Sequence, residues 1–304
     1  MRASTSNRST GTGYKPLVSV ITPVYNYERF VEHTLLSVKN QSYPNIEHIV
    51  IDDGSTDNSF NIVKKYENTY NLICISKPNE GQSATINRGF NLAKGEIITW
   101  LNADDVYFHK NAISWVVEQF RRFPDADVIY GEDVCIDAEN NILAVRRVPD
   151  WSYSRMRRGR FCPSSNTTFY RKEVIKNHHL REDLKYTMDL EFYLRLGKDY
   201  LFKHTRRILA GTRIHSGRKQ ISRRRDAREE DRVVMAEYGQ KFDLKYSLLR
   251  QLDRVDRLLT SRLLAVLNVL EIWRDLPNLA FDGKWKSTWA LFWRQVLPGA
   301  WIRL

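Results

Sequence analysis

From residue 17 onward, short apolar β-branched runs alternate with segments of helical period, and this alternation limits the fold more than any other feature. Residues 17–22, 46–51, 72–76, 96–101 and 127–130 read as strands. Residues 27–40, 57–68, 82–93 and 111–123, lying between them, read as helices. In the first of these, Phe30, Val31, Thr34, Leu35 and Val38 recur at helical spacing. A helix between successive strands returns the chain to the same end of the sheet, so the strands run parallel. Runs without polar alternation suit strands covered on both faces. The expected fold is therefore α/β, with a doubly wound, mostly parallel sheet.

After Tyr130 the pattern changes. Residues 134–136 and 142–147 flank Asn140-Asn141 and read as a hairpin. A short strand over 166–170, a helix over 187–196 and a strand over 208–214 follow, which predicts small antiparallel additions to the core sheet. Residues 1–15 are rich in Ser, Thr, Gly and Arg and read as a flexible tail. The core then spans 16–216, and 217–304 form a helical extension. In that extension Leu248, Leu252, Val255, Leu259, Leu263, Leu267 and Leu270 recur every three or four positions, which predicts a long amphipathic helix. Trp285, Trp289 and Trp293 would stack on one helical face.

Composition removes several classes of function. No apolar run approaches the ~20 residues of a membrane-spanning helix, so an integral channel or transporter is not expected. The first residues lack the apolar stretch of a secretory signal, and secretion by that route is not expected. Cys74, Cys135 and Cys162 are odd in number and far apart, against a disulfide scaffold or a four-cysteine zinc site. Lys and Arg total 48 against 36 Asp and Glu, a net charge of +12. The excess gathers at Arg146, Arg147, Arg155, Arg157, Arg158 and Arg160, and again from Arg213 to Arg228. Such patches suit phosphorylated substrates, anionic lipid or nucleic acid, or are simply a solvated face. No nucleic-acid recognition motif accompanies them, and nucleic acid is not an expected partner.

In open α/β sheets, ligands bind beyond the carboxyl ends of the strands. Three such ends carry suggestive groups here: Thr22-Pro23-Val24-Tyr25-Asn26, Asp52-Asp53-Gly54-Ser55-Thr56-Asp57 and Asn102-Ala103-Asp104-Asp105. Acidic strand ends can hold a hard divalent cation when substrate phosphates complete its shell. Each could equally be a turn or a helix cap. Gathering both in one crevice without a ligand would be costly, which favours the binding reading. Neither a G-x-G-x-x-G nor a P-loop is present. A nucleotide would be held another way, with an aromatic such as Tyr25 stacked on its base and an Asp bonding the base edge.

The stretches VSVITPVYN, IVIDDGSTDNS and NEGQSATINRGFNLAKGEIITWLNADD together resemble the family 2 glycosyltransferases of the GT-A fold, bacterial surface-polysaccharide type. The likeness runs from about residue 16 to 216. It implies inverting transfer of a sugar from a nucleotide-diphosphate donor, a UDP-sugar foremost, with Mn2+ or Mg2+ as cofactor. It places nucleotide contacts on Pro23, Tyr25, Asp52, Asp53, Arg88, Asn102 and Ala103, and metal contacts on Asp104 and His215. Asn102 departs from the first Asp of the family's D-x-D motif, while Asp104 retains the last. The family's E-D pair corresponds to Met188-Asp189, which leaves Asp189 as the general base and Glu191 as an alternative. Asp189 alone also reads as a first-turn acid on a helix. A helix start lowers a carboxylate pKa, whereas a base gains from a raised one, so the two readings pull in opposite directions.

The acceptor implied is a saccharide or lipid-linked saccharide, and the expected location is cytoplasmic. The Trp-rich extension suits an anionic membrane surface at the inner face, or packing on the core, or on a second copy of the chain. A non-catalytic protein that binds nucleotide sugars and retains the fold is the competing reading. A glycosidase needs an acid on the leaving oxygen opposite a second carboxylate, and no strand-end cation site, so it fits less well.

Overall fold

The computed structural model describes residues 15–159, 161–218 and 223–240. Its first half follows the alternation read from sequence: β1 (Val18–Val24), α1 (Val31–Lys39), β2 (Ile46–Asp52), α2 (Ser59–Lys64), β3 (Leu72–Ser76), α3 (Gln82–Leu92) and β4 (Ile97–Trp100). These four strands are mutually parallel, with Val18 beside both Ile46 and Ile97, and His48 beside Leu72. The second half holds β5 (Val106–Tyr107), α4 (Ala112–Arg122), β6 (Val128–Ile136), β7 (Ile142–Arg146), α5 (Tyr153–Arg157), β8 (Thr168–Arg171), α6 (Lys172–Asn177), α7 (Met188–Leu196), β9 (Phe202–Arg213) and α8 (Arg224–Glu237).

All nine described strands form one sheet in the order β3-β2-β1-β4-β8-β6-β9-β5, with β7 on the far end of β6. β8 runs antiparallel to β4 and β6, β9 parallel to β6, and β5 and β7 antiparallel to their neighbours. The sheet is thus mostly parallel with small antiparallel additions, as the sequence predicted. Side chains alternate between its faces. Ile21, Ile98 and Trp100 meet Ile86 and Phe90 of α3 on one face. Val18, Val20 and Ile97 meet Ile113, Val116 and Phe120 of α4 on the other. Each such side chain removed from water contributes roughly 1.5–3 kcal/mol. α3 lies close on β1 because Gly89 has no side chain: a Cβ there would come 2.4 Å from Ile21 Cγ2.

The bounds of five elements differ from expectation. The strands predicted at 127–130 and 134–136 are one strand, β6, whose register shifts on both sides of Glu132. Gly131-Glu132-Asp133 read as a break because the sequence does not reveal that β9 pairs along the whole of β6. α1 and α2 start later than predicted, since the loops before them are tied to each other. Tyr27 N–H donates to Ser59 Oγ at 2.8 Å, and Glu28 N–H to Asp57 Oδ2 at 3.0 Å. The strand expected over 166–170 opens as a 3-10 turn, Ser165–Thr167, before β8. Strand β9 begins six residues earlier than predicted, at Phe202. The Leu repeat and the Trp-rich stretch of the extension lie outside the described residues, as does most of the N-terminal tail. No helix among the described residues is long and apolar enough to cross a membrane.

One buried group sets a pH dependence for the fold. His48 on β2 is fully buried, with Nε2 2.9 Å from Thr22 Oγ1 and Nδ1 2.8 Å from the Tyr70 hydroxyl. Burial depresses its pKa from 6.5 to about 3. A depressed imidazole pKa means that the unfolded chain binds the proton first. The stability is fully present above the unfolded pKa and is lost as pH falls toward the folded value. We expect the unfolding free energy to fall by about 1.4 kcal/mol per pH unit from this group below pH ~6. Denaturant titrations at several pH values check it, with His48→Gln as the reference. Equal slopes for the two proteins would refute the assignment.

Candidate active site

The carboxyl ends of β1, β2 and β4 face a single cleft of about 710 Å3. Its lining includes Pro23, Tyr25, Asp53, Asn102, Ala103, Asp104, Asp189 and His215, eight of the ten residues singled out from sequence. At the mouth, Tyr25 is 44% exposed, an aromatic face open to a planar ligand. The next residue, Asn26, has φ 58° and joins the two loops. Its side-chain oxygen accepts the Thr56 N–H at 2.8 Å, and its own N–H donates to Ser55 Oγ at 3.0 Å.

The Asp52-Asp53 pair divides, because consecutive residues at a strand end turn opposite ways. Asp53 reaches the cleft and accepts the Glu80 N–H at 2.9 Å, the Gly81 N–H at 3.0 Å and the buried ammonium of Lys77. Asp52 is buried outside the lining and accepts from Ser55 N–H at 3.2 Å and Ser76 Oγ at 3.0 Å. It ties β2 to β3, and of the pair only Asp53 lines the cleft. Arg88 is likewise outside the lining and exposed. The helical period turns Thr85, Ile86 and Gly89 of α3 inward, which puts Arg88 on the solvent side. A residue of α3 that motif reading passed over, Gln82, does reach the cleft and donates from Nε2 to Asn102 Oδ1 at 3.0 Å.

The Asp104-Asp105 pair also divides. Asp104 faces the cleft, and its Oδ2 lies 3.1 Å from His215 Nε2. His215 is packed on the Phe30 ring, centroids 4.7 Å apart. Asp105 sits behind, accepting the Arg213 N–H at 2.9 Å and amide donors from Asn102 at 3.3 Å and Asn166 at 3.2 Å. Burial, then the neighbouring Asp104 charge, push the Asp105 carboxyl up to about 6. The turn is pinned by Arg213, fully buried, whose Nε donates to the Asp104 carbonyl and Nη1 to the Asp137 carbonyl, both at 2.8 Å. Arg218, also in the lining, donates to the Arg213 carbonyl at 2.8 Å. Burial opposes its charge, yet Asp105 and Asp104 hold its pKa above the ordinary range. From sequence, Arg213 and Arg218 were members of a basic patch, with nothing to separate them from a solvated face.

Across the cleft, Asp189 is the second residue of α7. Its Oδ1 accepts the Leu190 N–H at 2.8 Å. Thr187, at the cap position, makes no side-chain cap bond, so Asp189 itself satisfies that helix-start donor. Burial raises the Asp189 pKa, while the backbone N–H bond and the Arg218 and Arg146 charges partly offset it. The two opposed readings of this residue are thereby reconciled: it occupies a helix start, and desolvation outweighs the helix. Glu191, the other candidate from sequence, does not line the cleft. It is buried outside the lining and paired with Arg195 through both oxygens at 2.9 Å. Met188, in place of an acid, is buried and accepts from Ser83 Oγ at 2.8 Å.

Among the described residues no three His, Cys, Asp or Glu side chains stand close enough to cage a metal ion. Asp104 and His215 offer two facing donors. A pair of that kind fits a divalent cation whose remaining ligands are water and substrate phosphate oxygens.

A family model described as Glycosyl transferase family 2 matches residues 19–176. Hyaluronan synthase of Pasteurella multocida is 24% identical over 246 residues, 79% of this chain and 25% of that protein. Chondroitin synthase of Escherichia coli is 26% identical over 243 residues, 78% of this chain and 35% of that protein. The chain thus spans about a quarter to a third of the length of these curated relatives. The crystal structure of S. aureus TarS 1-349 in complex with UDP-GlcNAc aligns with a TM-score of 0.57 at 24% identity, covering 72% of this chain and 65% of that one. The mannosyltransferase PcManGT from Pyrobaculum calidifontis, in complex with GDP-Man and Mn2+, aligns with a TM-score of 0.54 at 17% identity, covering 75% and 66%. These likenesses establish the fold as GT-A.

Proposed function

The chain belongs to glycosyl transferase family 2, and we propose that it moves a sugar, with inversion, from a nucleotide-diphosphate donor to a hydroxyl of a saccharide or lipid-linked acceptor. The observation that carries this reading is the convergence of Tyr25, Asp53, Asp104, His215 and Asp189 on one cleft. Tyr25 stacks on the base, and Asp53 stands beside it at the end of β2. Asp104 and His215 would hold a divalent cation, Mn2+ or Mg2+, which when bound would supply positive charge to the diphosphate leaving group. Arg218 adds a fixed positive charge at the same end of the cleft. Asp189 accepts the proton of the acceptor hydroxyl as that oxygen attacks the anomeric carbon from the side opposite the diphosphate. Its raised pKa suits this duty, because a more basic carboxylate accepts the proton more readily. Nucleotide sugars are bound by S. aureus TarS and by the Pyrobaculum mannosyltransferase, which supports the donor class.

Thermal unfolding with UDP, GDP, dTDP and CDP, each with and without Mn2+, tests the reading. One nucleotide at about 100 times its dissociation constant should stabilise the protein by about 2.7 kcal/mol, only when Mn2+ is present. In Asp104→Ala that metal-dependent gain should vanish. No stabilisation by any of the four would overturn the donor class and the cation site together.

A further inference from the structure

The loop that leads into α7 is held by a residue remote in sequence. The backbone N–H groups of residues 185–187 all point at one carboxylate, Glu230 of α8. Lys185 N–H donates to Oε1 at 2.7 Å; Tyr186 and Thr187 N–H donate to Oε2 at 2.7 and 3.2 Å. Thr187, at the cap position of α7, makes no side-chain cap bond, and these three donors are met from another element instead. A charged acceptor shared by three donors is a strong and directional anchor.

Glu230 is itself fixed in place. Four and five residues on, Val234 and Met235 are buried in the same cluster as Leu184 and Met188. Glu237 pairs with Arg181 at 2.6 Å, and the Tyr238 hydroxyl donates to Glu191 at 2.8 Å. α8 therefore packs against α7 and the loop before it over the two turns that follow the anchor. The loop in turn carries Lys185 and Tyr186 into the cleft lining, with Asp189 two residues beyond Thr187.

We propose that Glu230 is a positioning residue for the transfer reaction: by fixing the backbone of residues 185–187 it sets the Asp189 carboxylate at the cleft. The inference rests on the transferase reading above. Glu230 touches no reacting atom and acts through the loop. Sugar transfer is sensitive to this, since a displacement of about 1 Å at a reacting group costs about 100-fold in rate.

The test uses the full chain with Glu230→Ala and Glu230→Gln, and Glu229→Ala as a control that loses an exposed ion pair with Arg232 on the same helix. Three quantities are read: hydrogen exchange in peptides covering residues 183–190, the dissociation constant for UDP with Mn2+, and nucleoside diphosphate release from a panel of UDP- and GDP-sugars. In Glu230→Ala, exchange at residues 185–187 should rise about 10-fold or more. kcat should fall about 10- to 100-fold with UDP affinity changed less than about twofold. Glu230→Gln keeps one acceptor oxygen and should recover part of kcat, and Glu229→Ala should behave as native. Unchanged exchange, or a kcat loss matched by an equal loss of UDP affinity or of folded protein, would overturn the inference while a working native enzyme keeps the transferase reading. A native chain that turns over no sugar nucleotide would overturn both, even with the loop anchor seen in exchange.

Discussion

Asp189→Asn is expected to lower turnover by about 100- to 10,000-fold while nucleotide binding stays as in the native chain. The amide keeps the shape and still accepts the Leu190 N–H, so α7 keeps its start. It cannot accept a proton from the incoming hydroxyl. Stability should not suffer, because burial already disfavours the charge that the substitution removes. The pH profile carries the same signature. A carboxyl whose pKa is raised stays protonated to higher pH, so the acid limb of kcat should lie above the ordinary aspartate range near ~3.9. The limb should disappear in Asp189→Asn. A variant that transfers sugar at the native rate would show that another group is the base. A variant and a native chain equally inert, both binding nucleotide, would make the protein a binder that has kept the fold.

Arg213→Met should produce the largest loss of stability, about 3–5 kcal/mol, because it leaves buried charge uncompensated. The methionine fills a similar volume but donates no hydrogen bonds. The carbonyls of Asp104 and Asp137 lose their donors. Asp104 and Asp105 lose the attraction of a fully buried guanidinium. For a chain of this size the melting temperature falls by roughly 2–4 °C per kcal/mol, a drop on the order of 10 °C. Lysine should not restore it, since a single ammonium cannot reach carbonyls that Nε and Nη1 serve separately. Guanidinium denaturation of the two variants and the native protein measures this directly. A loss below ~1 kcal/mol would mean that the Asp104 turn is held by other contacts, with the Thr34 hydroxyl at the Ala103 and Asp105 carbonyls the first to examine.

Particular residues show how far local sequence reaches. Tyr25, Asp53, Asp104 and Asp189 were legible because each sits at a strand end or helix start, where the backbone direction follows from neighbours in sequence. Of Asp52 and Asp53 only the second lines the cleft: the strand end is local, and which carboxylate turns to the cleft depends on where β3 lies. Arg88 was placed by motif order, and the face of α3 that packs on β1 turned it away. β6 was read as two strands since nothing near Gly131 announces a partner as distant as β9. Glu230 and Arg213 carried only a charge-run signal, and their duties arise from backbone groups 43–45 and up to 109 positions away.

By itself the sequence determined the α/β alternation, the parallel core and the three strand ends that form the cleft. Those properties follow from periods of 2 and 3.6 residues and from turn chemistry, all written over a few adjacent positions. Only the tertiary structure decided which of each acidic pair faces the cleft. It also decided that Arg213 is a buried clamp rather than part of a solvated face, and that α8 returns to anchor the loop before Asp189. Those outcomes depend on desolvation and on hydrogen bonds between distant segments. A charged residue has the same identity in either setting, and its environment alone separates a structural ion from a solvated one.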